Sequence, residues 1–100
     1  MFEDLDPILH SQLRLAIVSL LMGVEEAEFV YLKEKTNTSA GNLSLQLDKL
    51  KKAGYVTISK GFKGSYPVTT CKITKTGIIA FEKYVENLKQ YIDFKKNRLK

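Results

Sequence analysis

Asn42, Gln46 and Lys49 recur at i, i+4 and i+7, a spacing that puts two amides and an ammonium on one face of a helix. An amide donates and accepts in one plane, so it can pair with a flat hydrogen-bonding edge, and a lysine adds a point charge suited to an anion. Other chemistries lack their residues. The one histidine, His10, and the one cysteine, Cys71, are far apart, and no metal-ligand spacing such as C-x₂-C or H-x₃-H occurs. Neither a metal nor a cofactor is expected. The acids gather in the first third of the chain without the spacing of a general acid and base. There is no G-x-S-x-G, and Gly61-Phe62-Lys63-Gly64 lacks the strand-to-helix setting of a phosphate loop. No catalytic residue and no enzyme activity are therefore expected. Cys71 cannot close an internal disulfide, which fits a reducing compartment; a packed strand residue and a redox thiol are both open to it.

The chain has 100 residues, 44% of them hydrophobic and 27% charged, with a net charge of +5. That length suits a single domain over 1–100 with one modest core. No apolar run approaches the ~20 residues that span a bilayer. Met1-Phe2-Glu3-Asp4 is acidic where a secretory signal starts basic, so a cytoplasmic protein without a membrane partner is expected. Charge is unevenly spread. Residues 1–38 hold seven acids (Glu3, Asp4, Asp6, Glu25, Glu26, Glu28, Glu34) against three bases, whereas residues 39–66 hold five lysines against Asp48 alone. Any surface for a polyanion should lie in the later segments.

The elements that must position these residues follow from period and punctuation. Asp6-Pro7 reads as a cap and first position of a short helix to about His10, and Ser11 caps the next. There Leu13, Ala16, Ile17, Leu20 and Leu21 share one face, and Gly23 stops the helix. Glu25 to Glu28 is a polar connection. Phe29 to Lys35 is a shorter helix with Phe29 and Leu32 inward; Thr36-Asn37-Thr38 is a turn. Ser39 caps a third helix with Leu43, Leu47 and Leu50 inward, and Ala53-Gly54 ends it. The period then shortens: Tyr55 to Ile58 and Val68 to Ile73 are strands, with Gly61 to Pro67 a loop or hairpin tip. Thr74 caps a final helix of about 25 residues, roughly 37 Å long.

Helix, helix, helix, hairpin, helix is an α+β order, mainly helical. It predicts a winged helix-turn-helix: a three-helix bundle and a two-stranded β-wing, with the helix-turn-helix at about 29–53, the wing at about 55–73 and a long C-terminal helix at about 75–98. In that motif the second helix enters the major groove of DNA. The face opposite the leucines then presents Asn42, Leu45, Gln46 and Lys49, while Thr38 and Ser39 lie at a helix N-terminus that favours phosphate. Asp48 is placed to one side of the groove. The wing brings Lys60, Lys63, Ser65 and Tyr66 to the backbone or minor groove. The same residues also suit a solvated surface helix and an ordinary hairpin.

Leu5-Asp6-Pro7-Ile8-Leu9-His10-Ser11 with Arg14-Leu15-Ala16-Ile17, Gly41-Asn42-Leu43-Ser44 with Ala53-Gly54-Tyr55-Val56, and Thr74-Lys75-Thr76-Gly77 before Phe81 together resemble winged-helix regulators related to the MarR and ArsR groups. The resemblance spans the chain and implies a dimeric transcriptional repressor or activator. Where relatives usually carry wing arginines before the proline, this chain has Gly64, Ser65 and Tyr66, which implies wing contacts that are either weaker or shifted to Lys60 and Lys63. The clustered cysteines or histidines of metal-sensing ArsR members are missing. Relatives often bind small molecules between the dimerisation helices and the DNA-binding lobe, but no residue of this chain indicates an effector.

In the last helix Phe81, Val85, Leu88 and Ile92 keep near-heptad steps, and Tyr84 and Tyr91 widen the stripe into a second seam. One seam can pack on the chain's own core; the other is read as a homodimer interface, joined by Leu5, Ile8 and Leu9. The basic end, Lys95, Lys96, Arg98 and Lys100, suits a helix C-terminus. The reading is thus a homodimer that binds specific double-stranded DNA. A winged-helix protein-interaction module and a non-specific architectural DNA binder are the alternatives.

Overall fold

The computed structural model describes residues 2–99, with side chains described through residue 93; Lys95, Lys96, Arg98 and Lys100 lie outside that set. Its elements are α1 (Gln12–Met22), β1 (Ala27–Glu28), α2 (Phe29–Thr36), α3 (Ala40–Lys52), β2 (Val56–Lys63), β3 (Tyr66–Ile73) and α4 (Lys75–Leu99). The winged helix-turn-helix expected from the element order is what forms.

Local chemistry explains most boundaries. Ser11 is extended and accepts from the Arg14 backbone N–H, opening α1. Ser39 does the same for α3, accepting from Asn42 N at 3.1 Å. Asn37 takes the left-handed conformation (φ 52°) that ends α2, and Gly54 (φ 83°) follows α3. The helix expected around Pro7–His10 is instead one capped turn. Asp6 Oδ1 accepts from the N–H groups of Ile8 (2.8 Å) and Leu9 (3.4 Å), and Ser11 then restarts the chain in extended conformation.

The sheet is larger than expected. Ala27 and Glu28, read as a connection, pair with Cys71 and Thr70, so three antiparallel strands run in the order β1-β3-β2. Two residues are too short a run to show alternation, and only β3 brings out their pairing. The wing strands also continue through Gly61 and Pro67, with Lys63 opposite Tyr66, leaving Gly64-Ser65 as a two-residue turn. Glycine at its first position, with φ 65°, matches the type II′ hairpin turn.

One cluster joins the buried residues of every element. Leu9, Ile17, Val18 and Leu21 meet Leu32, the α3 leucines 43, 47 and 50, and Val56, Cys71 and Tyr84. This corrects two expected dimer contacts: Leu9 is 0% and Tyr84 4% exposed within the chain itself, so neither has surface to offer a partner. The reason is the segment before α1, which lies along α4. His10 Nδ1 stands 3.0 Å from the Tyr84 hydroxyl, the Phe2 ring packs 4.7 Å from that of Tyr91, and Glu3 N donates to Gln90 Oε1 at 2.9 Å. The tyrosine seam of α4 is therefore covered at Tyr84 by this chain's own residues, while Tyr91, packed on one side by Phe2, stays exposed.

At the wing's base, Thr74 N donates to Tyr55 O (2.9 Å), and the Thr74 hydroxyl donates to Gly54 O (2.6 Å) while accepting from Gly77 N (3.0 Å). A Cβ on Gly77 would stand 2.3 Å from Tyr55 O, which is backbone and cannot swing aside. We expect Gly77→Ala to cost about 1–3 kcal/mol, the range for overpacking. Gly41→Ala, whose Cβ would meet nothing within 4 Å in a helix, should stabilise by about 0.5–1 kcal/mol. Urea unfolding midpoints of the two variants should move in opposite directions; a Gly77→Ala midpoint at or above wild type would refute the contact.

Burial raises the Tyr55 phenol from 10.0 to about 12, helped by its hydrogen bond to Asp6 Oδ2 and by that carboxylate's charge. Burial alone raises the Cys71 thiol from 9.0 to about 11. Both groups are neutral when folded and ionise more easily when unfolded. Their contribution is complete below the unfolded values and is lost as pH rises through the folded ones. Thermal stability should begin to fall near pH 9 and keep falling towards pH 12. Tyr55→Phe should flatten the part above about pH 10, and an unchanged profile would contradict the Tyr55 assignment.

Candidate nucleic-acid interface

The leucine stripe orients α3. With Leu43, Leu47 and Leu50 buried, the helix turns Gly41, Leu45 and Lys52 directly outward, with Asn42, Gln46 and Lys49 along one flank and Ser44, Asp48 and Lys51 along the other. Gln46 is more covered than expected but still partly open: it is half-buried, because its flank leans on α1. Leu45 is exposed, as are Asn42 and Lys49. Thr38 and Ser39 stand at the α3 N-terminus, where Ser39 uses its hydroxyl oxygen as the cap.

The flank carries a row of side-chain hydrogen bonds. Arg14 Nη1 donates to Gln46 Oε1 (2.6 Å), Gln46 Nε2 to Asn42 Oδ1 (3.1 Å), and Asn42 Nδ2 to Thr38 Oγ1 (3.0 Å). Arg14 is held in turn by Ile8 O, which accepts from Nε at 2.6 Å, and by Pro7 O at 3.4 Å. Sequence reasoning named Thr38, Asn42 and Gln46 but missed Arg14. Its partner is 32 positions away, and no spacing along the chain reports such a contact.

On the other flank, Asp48 pairs with Lys52 at 2.9 Å, an exposed i, i+4 pair worth about 0.3–0.5 kcal/mol. Its charge is thereby partly offset. Asp48, Ser44 and Lys51 line a cleft of about 370 Å³ that Phe29, Lys60 and Thr69 close from the other side, so Lys60 lies on the wing face turned to α3. Strand alternation puts Phe62 on that same face. Lys63 and Tyr66 project from the opposite face, where Lys63 Nζ meets Glu28 Oε2 at 3.3 Å. Ser65 is in the tip turn. Phe62 and Tyr66 are 77% and 76% exposed, so the wing tip offers bare aromatic surface on both sides. Phe62 was legible: Val56, Ile58, Lys60 and Phe62 alternate. Reading Gly61–Pro67 as loop hid that pattern.

The arrangement is a helix with a polar flank and capped N-terminus beside a projecting hairpin bearing cations and aromatics. Among the described residues no group of three or more His, Cys, Asp or Glu could hold a metal ion. No helix among them is long and apolar enough to cross a membrane.

Residues 13–92 match the family described as the winged helix DNA-binding domain. The chain belongs to that family. An uncharacterised protein of Methanocaldococcus jannaschii is 41% identical over 83 residues, covering 83% of this chain and 90% of the relative. The winged-helix domain also superposes on a transcriptional regulator homologue from Pyrococcus horikoshii at TM-score 0.81 with 28% identity, covering 86% and 85% of the two chains. A mutant MarR from E. coli, complexed with operator DNA, shares the fold at TM-score 0.71 and 19% identity over 87% of this chain and 61% of that one.

Proposed function

We propose that this winged-helix protein is a homodimeric transcriptional regulator that binds specific sites in double-stranded DNA. The observation that carries the reading is the pairing of an exposed α3 with a cationic, aromatic wing on the Lys60–Phe62 face beside it, in a chain of the winged helix DNA-binding family. In this reading α3 lies in the major groove. Asn42 and Gln46 address base edges, Leu45 a thymine methyl, and Lys49 a phosphate or guanine. The N-terminal turn with Thr38 and Ser39 abuts the backbone. Lys60 and Phe62 lead the wing on to the backbone or minor groove. Ser65 and Tyr66 follow at the tip, with Lys63 available once it leaves Glu28, since both partners are exposed.

The partner is a second copy, seated on the flank of α4 that its own chain leaves open. Met22, Phe81 and Val85, together with Glu82, Glu86 and Lys89, line a groove of about 450 Å³ there, and exposed Ile92 continues its apolar stripe. Half-buried Leu88 joins along the same stripe, with Leu5, Ile8 and Tyr91 nearby on the side packed by the N-terminal segment. A two-fold pair would place its recognition helices about 34 Å apart, one turn of DNA.

Two measurements test the proposal. Affinity for duplex DNA should fall steeply with salt, with a slope of about −0.9 per phosphate neutralised. Lys49→Ala and Lys60→Ala should each reduce that slope by about one. Phe62→Ala should weaken binding at unchanged slope, because an aromatic contact releases no counterion. Failure to retain any duplex at about 50 mM salt, where phosphate contacts are strong, would reject the DNA reading. For the dimer, sedimentation should show Val85→Glu with Ile92→Glu as a soluble monomer; a dimer of unchanged stability would place the interface elsewhere.

A further inference from the structure

We infer that Arg14, on α1 and outside the recognition helix, sets the hydrogen-bonding polarity of the α3 amide row and thereby selects which base edges that row accepts. The inference rests on the DNA-binding reading above.

A guanidinium carries only hydrogen-bond donors and no acceptor. The group 2.6 Å from Arg14 Nη1 must therefore be the oxygen of Gln46, which sends the Gln46 nitrogen towards Asn42. Asn42 must meet that nitrogen with its own oxygen, so its nitrogen faces Thr38 Oγ1. One donor-only residue fixes the sense of every bond in the row. Without it, each terminal amide could turn over, because that torsion is broad and roughly two-fold.

The outward consequence is chemical. Each NH₂ keeps one hydrogen that the row does not use. With its nitrogen donating to Asn42 and its oxygen engaged by Arg14, Gln46 faces outward chiefly as a donor. Asn42 offers its second N–H, and Thr38, whose oxygen is accepting, has its hydroxyl hydrogen left. A donor-rich row suits guanine N7 and O6, adenine N7 or thymine O4, and disfavours the amino group of cytosine. Arg14 is placed to hold this sense, because the carbonyls of Ile8 and Pro7 take two more of its donors and Ser11 caps its helix. It is a positioning residue that acts through Gln46.

The test selects duplexes from a random pool with the wild type, Arg14→Met, Arg14→Lys and Gln46→Glu, alongside affinity for a fixed non-specific duplex. Arg14→Met should blur one or two positions per half-site, with discrimination there falling about tenfold. Its non-specific affinity should fall by less than that, with a salt slope changed by less than one phosphate's worth. Arg14→Lys, still a pure donor, should keep the wild-type base. Gln46→Glu keeps an acceptor for Arg14 but has no N–H for Asn42, so Asn42 should turn over and admit an adenine or cytosine amino group. Gln46 itself faces a base edge, so in this variant only a change at the neighbouring position, the one Asn42 reads, supports the inference, and it does so even if Arg14→Met does not fold. In the side-chain amide NMR spectrum, the Gln46 NH₂ signals should shift in Arg14→Met. A full-strength wild-type motif from Arg14→Met or from Gln46→Glu overturns the inference while the DNA reading stands. Equal weakening on every duplex with an intact motif also overturns it, by making Arg14 a phosphate contact. A wild type that selects no motif overturns sequence-specific reading itself, and the inference with it.

Discussion

The carbonyl of Tyr55 is where this fold is locked. It accepts the Thr74 N–H, it lies against the bare Cα of Gly77, and the adjacent Gly54 carbonyl takes the Thr74 hydroxyl. Three elements converge on two neighbouring carbonyls: the end of α3, the base of both wing strands and the first turn of α4. A hairpin on its own has no defined angle to the helix before it. Here that angle is set by the two hydrogen bonds from Thr74 and by a helix that approaches so closely that only glycine fits. Wing and recognition helix can then act as one rigid surface.

The lock extends to the N-terminal segment through the Tyr55 hydroxyl, which donates to Asp6. Asp6 uses its other carboxylate oxygen to cap the turn that carries Pro7 and Ile8, and the carbonyls of those two residues hold Arg14. Arg14 reaches back to α3 at Gln46. The recognition helix is thus tied at its C-terminal end through Gly54 and along its flank through Arg14, and its leucines are buried between. A segment before the first helix that looks peripheral closes this loop and packs along α4, burying Tyr84.

Charge contributes to this surface with less weight than composition suggests. The net charge is +5, yet Lys52 is engaged by Asp48 and Lys63 by Glu28. Both pairs are exposed and weak, so a polyanion can compete for the lysines. The exposed aromatics of the wing and Leu45 add contacts that do not depend on salt. The proposed interface therefore divides between screened electrostatics and shape.

The sequence by itself determined the order of the helices, the caps at Ser11 and Ser39, the leucine face of α3, the existence of the wing and the glycine at the start of α4. These are local matters: a cap reaches three residues, a helical face repeats every three or four, and a strand alternates every two. Tertiary structure alone decided the rest. Ala27 and Glu28 became a strand only because β3 was there to pair with. Tyr84 and Leu9 went inward because the N-terminal segment folded along α4, and both α4 stripes read alike until that cover was in place. Gln46 and Asn42 were legible as polar residues on one face. The direction of their hydrogen bonds was not, because it comes from Arg14, a donor brought in from another helix. Periodicity reports which way a side chain points; what it meets there depends on chain that is distant in sequence and close only once the core has formed.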